Sequence, residues 1–436
     1  MRPLPSSLLV LSLLTLSPAW AATYYVDAQS GNDRNNGLSP GSAWRTLDKV
    51  ATESRNKKLR KNGFLAGDQI LFRRGQSFSS AGYPIVQVAG VAGNPVRLGA
   101  WGEGALPRLE NHGSGIYDLV LKVQGQYAEL RELAIVKSDA ANTTEYGVYL
   151  AGTGHRVEAC DISGVGLGLK LEGSGHRVTG NVIHDLTMVI ADAAFDNDYG
   201  ASGVVVHKAS DIEVWNNRFE RLRAPSPDYG VDGSALEIFN SASNVRFHHN
   251  VVDTTAALVE VGGSAATELV TGLRIHHNLV LEADSVGYFH NSVGSTYGVQ
   301  VQDVKIEHNT IRKTGPEMHS WILGFGMPPA AGQFLFRNNV VEHRNSNGLF
   351  YQAGLLVHEA NLYLLSNAPW GDASFSLRPS EALGDPLFRN PALGDFRLQW
   401  GSWAIDRGLS LGYTQDLDGL PMPVGVAPDL GAYESR

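Results

Sequence analysis

Two short segments of the 436-residue chain place a glutamate between apolar residues, in a pattern typical of a β-strand. In "GSALEIFN" (residues 233–240) Glu237 is flanked by Leu236 and Ile238, and in "ALVEVGG" Glu260 lies between two valines. Because side chains alternate between the two faces of a strand, inward apolar neighbours leave each glutamate pointing outward. Two carboxyl groups on one outer surface have the chemistry of an acid–base pair, in which one donates a proton and the other accepts one.

Neighbouring segments extend this outer column. "DYGASGVVVH" and "DYGVDGSALE" align without a gap and place His207 beside Glu237, while "SVGYFHN" offers Tyr288 or His290 as the next member, depending on its register. Aligned carboxylates at the ~4.8 Å spacing of adjacent strands repel each other, which raises the pKa of one of them. A purely structural sheet disfavours such opposed like charges, so the column favours a functional site over solvated or arginine-neutralised glutamates.

The strands that must hold this column belong to a repeat. Segments "IEVWNN", "VRFHHN", "LRIHHN", "VKIEHN" and "FLFRNN" share apolar first and third positions and an asparagine at the sixth. Upstream, "HRVTGN" and "HRVEAC" continue the series, so that its sixth positions are Cys160, Asn181, Asn217, Asn250, Asn278, Asn309 and Asn339. Units of similar length, built from short alternating strands and turn residues, predict a solenoid.

Over residues 115–365 this repeat resembles the right-handed parallel β-helix of the pectin-lyase-like superfamily. In that fold each coil carries three short strands, and stacked asparagine amides one strand apart can satisfy each other's hydrogen bonds. The resemblance implies an all-β, right-handed parallel β-helix. It predicts the activity less narrowly, because the fold hosts several chemistries.

Both ends resemble the capping segments of secreted bacterial β-helix proteins. The opening "YYVDAQSGNDRNNGLSPGSAWRTLDKV" runs into "AWRTLDKVATESRNKK", whose helical period predicts a short N-terminal capping helix, and the close "PDLGAYES" resembles the usual tail. Such caps cover strand edges that a solenoid leaves unpaired. We expect a cap with the first coils over 22–114, the β-helix core over 115–365, and C-terminal coils with a capping tail over 366–436. The residues expected to serve as turn and cap residues are Asn32, Asp33, Asn36, Asp406, Asp416 and Asp418.

Residues 1–21 have a basic start, a short apolar run and a small-residue end, which predicts a secretory signal peptide cleaved after Ala21. We therefore expect a secreted or periplasmic protein, monomeric and without a membrane span. The formal charge of −9 argues against a nucleic-acid partner. With Cys160 as its one cysteine, the chain has no internal disulfide.

The resemblance implies a polysaccharide substrate. Glycoside hydrolysis needs an acid and a second carboxylate, ~5–5.5 Å away as nucleophile or ~6.5–9.5 Å away as base for water. Glu237 and Glu260 suit the shorter separation by coil spacing, and Asp232 could supply the longer one. His207 and His290 complete the predicted catalytic set.

Two long insertions, "DLTMVIADAAFDNDYGASG" and "ERLRAPSPDYGVDGSA", interrupt successive coils and should form groove walls, where function concentrates. The substrate contacts expected on these walls and beside the column are Asp198, Tyr199, Lys208, Asp228, Tyr229 and Tyr288. Their tyrosines suit stacking on sugar rings, or equally anchor the loops. Their aspartates could hold Ca²⁺, but the spacing matches no dedicated calcium loop, so we predict no metal and no other cofactor.

Two other functions stay open. β-Elimination needs a base beside a uronate carboxyl, a role that His207, Lys208, Tyr288 or His290 could take. A non-catalytic surface protein would use the glutamates only to hydrogen-bond sugar hydroxyls. The carboxylate pair, and the lack of an evident Lys/Arg strip, place hydrolysis ahead of both.

The histidine pairs in "FHHN" and "IHHN" raise a separate question. His248 and His276 occupy equivalent outward positions, but a transition-metal site needs a third ligand that the sequence does not clearly supply. We therefore interpret both as surface histidines. The residues next to the asparagines, His249, His277 and His308, are predicted to pack in turns.

Overall fold

The computed structural model describes residues 21–56, 62–80, 82–112, 118–137, 144–194, 196–315, 321–343, 349–365 and 376–436. Apart from Ala21, the predicted signal peptide lies outside these residues. Short parallel strands wind into a coil with three faces, which confirms the predicted parallel β-helix. Within the described ranges, no helix is both long and apolar enough to cross a bilayer.

The three faces are defined by parallel pairing between successive coils. The site face, which carries the two glutamates, contains Phe64–Leu65, Ile85–Ala89, Asp118–Gln126, Thr144–Thr153, Leu167–Ser174, Ser202–Trp215, Ser234–His248, Ala257–Gly262, Ser285–Phe289, Leu323–Phe325 and Phe350–Tyr351. The second face shares the two long strands Ser202–Trp215 and Ser234–His248 and adds Thr23–Val26, Gln69–Arg73, Val96–Trp101, Ala128–Arg131, Arg156–Glu158, Arg177–Thr179, Leu269–His276, Gln300–Glu307, Phe334–Arg337 and Val357–Glu359. The third face contains Ser77–Ser80, Arg108–Asn111, Ala134–Lys137, Asp161–Ser163, Val182–His184, Arg218–Leu222, Val251–Thr255, Leu279–Leu281, Thr310–Lys313, Val340–His343, Leu362–Leu365 and Ala382–Leu383.

Apolar side chains from all three faces fill the inside of the coil. Leu236 and Ile238 are fully buried, as are Val259 and Val261 on the next coil, so the alternation expected around both glutamates is confirmed. Fully burying one such side chain contributes about 1.5–3 kcal/mol, so the stacked rows, together with the packed core, fix the register of the outward residues between them.

The predicted asparagine ladder is present along one turn of the coil. Asn250 shows its logic, because its Oδ1 accepts from the backbone N–H of Asn217 at 2.9 Å and its Nδ2 donates to the carbonyl of Val214 and to Oδ1 of Asn278. The same bonds link Asn181 through Asn339, and Asn361 extends the ladder by one member that the sequence analysis missed. Each amide thus satisfies buried backbone groups that a turn would otherwise leave unpaired.

Cys160 ends the ladder in the position predicted for it. Its backbone N–H donates to Oδ1 of Asn181 at 2.9 Å, and burial raises the pKa of its thiol to about 12. Because labelling requires an exposed thiolate that attacks the electrophilic reagent, we expect native protein to stay unlabelled, and unfolded protein to take up one label. Rapid native-state labelling, followed by mass spectrometry, would contradict this register.

The predicted N-terminal helix is present, and the C-terminal tail packs along the outside of several coils, where it contacts Asn338 and Thr310. The capping helix spans Leu47–Ser54, and Thr46 Oγ1 accepts from the N–H of Lys49 while Asp33 accepts from the hydroxyl and N–H of Thr46. In the tail, Asp416 accepts from the backbone of Leu420 and Glu434, consistent with a turn-forming role. The remaining elements are the 3₁₀ turns Pro40–Ser42 and Pro391–Leu393 and three antiparallel pairs, Met188–Ile190 with Tyr199–Gly200, Ala224–Ser226 with Gly230–Asp232, and Phe388–Asn390 with Asp395–Leu398.

Candidate active site

The two glutamates lie on adjacent coils in direct register. Glu237 pairs with Glu260, and Glu260 pairs in turn with Tyr288, so the structure selects Tyr288 rather than His290 for the next place in the column. All three side chains are partly exposed on the outer surface of the site face. The predicted juxtaposition of the carboxyl groups is therefore present.

The expected place of His207 in this column is wrong. Glu237 pairs with Val205, and His207 pairs with Phe239 two residues further along the strand. The error came from the preceding loops. Ser202 pairs with Ser234, but Ser202 follows Gly200 by two residues, whereas Ser234 follows Gly230 by four. An ungapped alignment of the two segments therefore shifts the second strand by two residues.

His207 nevertheless borders the site, with both ring nitrogens engaged. Its Nδ1 lies 2.6 Å from Oε1 of Glu172, and Nδ2 of Asn240 lies 3.0 Å from its Nε2. Since an amide nitrogen only donates, Nε2 accepts and Nδ1 carries the proton given to Glu172. Burial is the main cause that lowers the pKa of His207, so this neutral form dominates near pH 7. The ring is arranged to orient Glu172 and Asn240.

A groove of about 730 Å³ lies over the glutamates. Its lining includes nine of the residues predicted for the site, namely Asp198, Tyr199, His207, Tyr229, Asp232, Glu237, Glu260, Tyr288 and His290. Asp228 and Lys208 are not among the lining residues. Lys208 is exposed and has a left-handed backbone (φ 49°), at a point where the pairing of its strand is irregular. Asp228 instead accepts hydrogen bonds from the N–H groups of Asn197 and Asp198.

The two insertions form one wall and lock to each other. Asp198 accepts from the hydroxyl of Ser226 at 2.7 Å and from the N–H of Asp228, so it bridges the two loops. The hydroxyl of Tyr229 donates to Asp196 at 2.7 Å, and that of Tyr199 donates to Glu145 at 3.0 Å. These bonds hold both tyrosine rings at the edge of the groove, so the two proposed roles, loop anchor and ligand contact, are compatible.

The carboxyl groups on the groove floor differ in their electrostatics. Burial, and then the charge of Glu260, raise the pKa of Glu237 to about 7. Burial, followed by the charges of Glu260 and Glu237, raises the pKa of Asp232 well above its usual range. His290 places Nε2 3.0 Å from Oε1 of Glu260. A proton therefore resides readily on Glu237 or Asp232, next to a carboxylate that an imidazole contacts.

Upstream, the same column carries a lysine that the sequence analysis missed. Lys170 pairs with Val205, lines the groove, and lies 3.4 Å from the hydroxyl of Tyr146 and about equally far from Glu172. The signal was available, because Lys170 in "LGLKLEG" sits between two leucines just as Glu237 sits between Leu and Ile.

Downstream, the groove continues over aromatic rings. The ring centroids of Tyr288 and Trp321 are 5.3 Å apart, and those of Trp321 and Tyr351 are 6.2 Å apart and nearly parallel. Gly324 makes this possible, since a Cβ there would lie 2.7 Å from the ring of Tyr288 and 2.8 Å from that of Trp321. Exposed aromatic faces in a row suit the apolar faces of consecutive sugar rings.

The acidic wall does not gather a calcium ligand set. We looked among the described residues for three or more His, Cys, Asp or Glu side chains whose ligand atoms lie within 4.8 Å of one another. The group found is that of His248, His249 and His276, which lies outside the groove. Ca²⁺ takes six to eight oxygen ligands at short range. The chemistry proposed below uses the side chains of the groove and no metal ion.

Comparison with known proteins agrees with this architecture. A family model described as "Right handed beta helix region" matches residues 123–292. The fold of the chain is a right-handed parallel β-helix. Its fold is similar to that of "pectate lyase Pel9A", with a TM-score of 0.57 and 16% identity over 95% of this chain and 96% of that one. It is also similar to XylC in complex with xylose, with a TM-score of 0.53 and 9% identity over 95% and 99%.

These likenesses confirm the predicted right-handed parallel β-helix, and at such identities they show the fold alone. No curated protein matches the β-helix in sequence.

Proposed function

We propose that this β-helix is an extracytoplasmic glycoside hydrolase that cleaves a polysaccharide with Glu237 and Glu260. The observation that carries the proposal is their direct pairing on adjacent strands, on the floor of a groove. Hydrolysis requires two carboxyl groups with different protonation states across one glycosidic bond. The predicted signal peptide supports the location outside the cytoplasm.

The environments of the two side chains suggest their roles. With a pKa raised to about 7, Glu237 can hold a proton at neutral pH and give it to the leaving glycosidic oxygen. Glu260, whose Oε1 lies 3.0 Å from Nε2 of His290, is then the second carboxyl group of the pair. Adjacent strands are ~4.8 Å apart, close to the ~5–5.5 Å of enzymes whose second carboxylate is a nucleophile. This spacing favours a covalent intermediate and retention of configuration.

The charges along the groove favour an uncharged glycan. Six carboxyl groups line it, those of Glu145, Asp196, Asp198, Asp232, Glu237 and Glu260, whereas Lys170 is the one lysine or arginine among the lining residues that the structure describes. A polyuronate would bring further negative charge into this field. Neutral pyranoses avoid that repulsion and can stack on Tyr288, Trp321 and Tyr351.

Elimination has one observation in its favour, which is Lys170. A lysine in the same column as Glu237 and beside Tyr146 could remove a proton from a uronate. The same step needs the uronate carboxyl to be neutralised, and the surrounding acidic groups oppose that. We therefore rank elimination second.

A reducing-end assay on a panel of neutral and uronate polysaccharides tests the proposal. We expect cleavage within the neutral group, and loss of that cleavage in Glu237→Gln. Cleavage confined to uronate polymers would favour elimination. No cleavage of any glycan, with glycan binding retained in the wild type and in Glu237→Gln, would favour a glycan-binding protein.

The raised pKa of Glu237 also predicts the alkaline limit of activity. A general acid works only while protonated, so kcat/KM on polysaccharide should fall as pH rises through about 7. Aryl glycosides with a good leaving group do not need that proton, so Glu237→Gln should cleave them without this alkaline limb. If kcat/KM of Glu237→Gln on the aryl glycoside still fell as pH rises through about 7, the titrating proton would belong to another group.

A further inference from the structure

The second face carries a histidine cluster that the proposed reaction does not use. His248 and His276 are direct partners on adjacent strands, and their rings stack with centroids 4.7 Å apart. His249 follows in the turn and stands nearly perpendicular to both, with its ring centroid 5.0 Å and 5.9 Å from theirs. The third imidazole that the sequence analysis could not find is thus His249, which was expected only to pack in the turn.

We propose that His248, His249 and His276 form a binding site for a transition-metal ion. Each offers a ring nitrogen, and the three lie within 4.8 Å of one another. Three imidazoles suit Zn²⁺, Ni²⁺ and Cu²⁺, with Cu²⁺ bound most tightly by the general order of affinities. A fourth position stays open to water, because His248 and His249 are only partly buried.

Hydrogen bonding within the cluster leaves unprotonated nitrogens. Nδ1 of His248 lies 2.8 Å from Nδ1 of His249, so one of the two must accept from the other. Nε2 of His277 lies 3.2 Å from the sulfur of Met422, which has no proton to donate, so Nε2 carries the proton of the neutral His277 ring. Nδ1 of His277 then accepts a hydrogen bond from Nδ1 of His276, which is 3.0 Å away. That arrangement leaves Nε2 of His276 with its lone pair.

A carboxylate supports the site from outside. Oε1 of Glu213 lies 3.5 Å from Nε2 of His248, the type of partner that fixes the orientation of a metal-bound imidazole. Ligand nitrogens about 2.0–2.1 Å from one ion must come closer together than they are here, so the rings would turn toward the ion as it binds. This movement predicts modest affinity.

The site also indicates what the ion would do. Tyr413 of the C-terminal tail packs on the ring of His276 at 4.4 Å, and Met422 of the same tail contacts His277. Drawing these imidazoles together fixes the surface on which the tail docks. The ion would therefore stabilise the docking of the C-terminal tail, on a different face from the groove.

Calorimetric titration of untagged, chelator-treated protein with Zn²⁺, Ni²⁺ and Cu²⁺ tests this site. We expect one equivalent to bind, strongest for Cu²⁺, with a rise in Tm and nitrogen hyperfine structure in the Cu²⁺ electron paramagnetic resonance spectrum. Glu213→Gln should weaken binding by about tenfold.

His248→Gln and His276→Gln should abolish the saturable equivalent, while His112→Gln, which removes an exposed imidazole elsewhere, should keep it. Because His248 is partly exposed, its variant should fold even if the buried His276 variant does not. Unchanged binding in folded His248→Gln, or no saturable binding to the wild type, would overturn the proposal.

Discussion

Replacing Glu237 by glutamine should lower turnover of the cleaved polysaccharide by about 10²–10⁴-fold, the usual contribution of a general acid. The amide keeps the shape of the side chain but cannot give up a proton to the leaving oxygen. Glu260→Gln should lose at least as much, because an amide is a poor nucleophile. In both variants Tm should stay unchanged or rise, since each removes one member of a repelling pair.

Two comparisons separate catalysis from folding in this experiment. Glu158→Gln removes a partly exposed carboxylate that pairs with Arg156 on the second face, outside the groove, and should leave turnover unchanged. Glu260→Ala, supplied with a small anion such as azide, should recover part of its activity if Glu260 is the nucleophile. If the two single variants Glu237→Gln and Glu260→Gln both kept full activity, the pair would not be catalytic.

Asn250→Ala should lower the free energy of unfolding by about 3–5 kcal/mol, because it strands two buried backbone groups at a cost of about 1–3 kcal/mol each and leaves a small cavity. These groups are the N–H of Asn217, now bonded to Oδ1, and the carbonyl of Val214, now bonded to Nδ2. Denaturant unfolding followed by circular dichroism measures the change.

Cys160→Ala is the matched control at the end of the same ladder. The Cys160 sulfur lies 3.8 Å from the carbonyl of Leu130 and 3.4 Å from that of Glu158, and hydrogen bonds to sulfur at such distances are weak, so we expect a loss of about 1 kcal/mol. An Asn250→Ala protein as stable as Cys160→Ala would show that the asparagine ladder is incidental to stability.

The periodic features of this chain could be predicted from the sequence because each obeys a local rule. Glu237 and Glu260 were found from alternation alone, and the asparagines from their fixed place after two apolar residues. Asn361 escaped because the third position of its segment, "LVHEAN", is His358, where the recognised segments have an apolar residue. The outward position of Lys170 obeys the same alternation rule and was predictable.

What the sequence could not supply depends on loops and on distance. His207 was misplaced by a two-residue difference between two insertions, and the length of a loop does not reveal where the next strand begins to pair. Trp321 and Tyr351 reach the groove from coils further along, and His249 approaches His248 and His276 through the geometry of a turn. Such contacts follow from the path of the backbone, which no short motif encodes.

The origin of the oxygen atom in the product tests the central claim most directly. When the polysaccharide that the protein cleaves is digested in isotopically labelled water, we expect one labelled oxygen at each new reducing end and no conjugated double bond. Retention of configuration, followed by nuclear magnetic resonance, would add the covalent step through Glu260. Products with an unsaturated, ultraviolet-absorbing sugar and no label would contradict hydrolysis and assign the reaction to elimination beside Lys170.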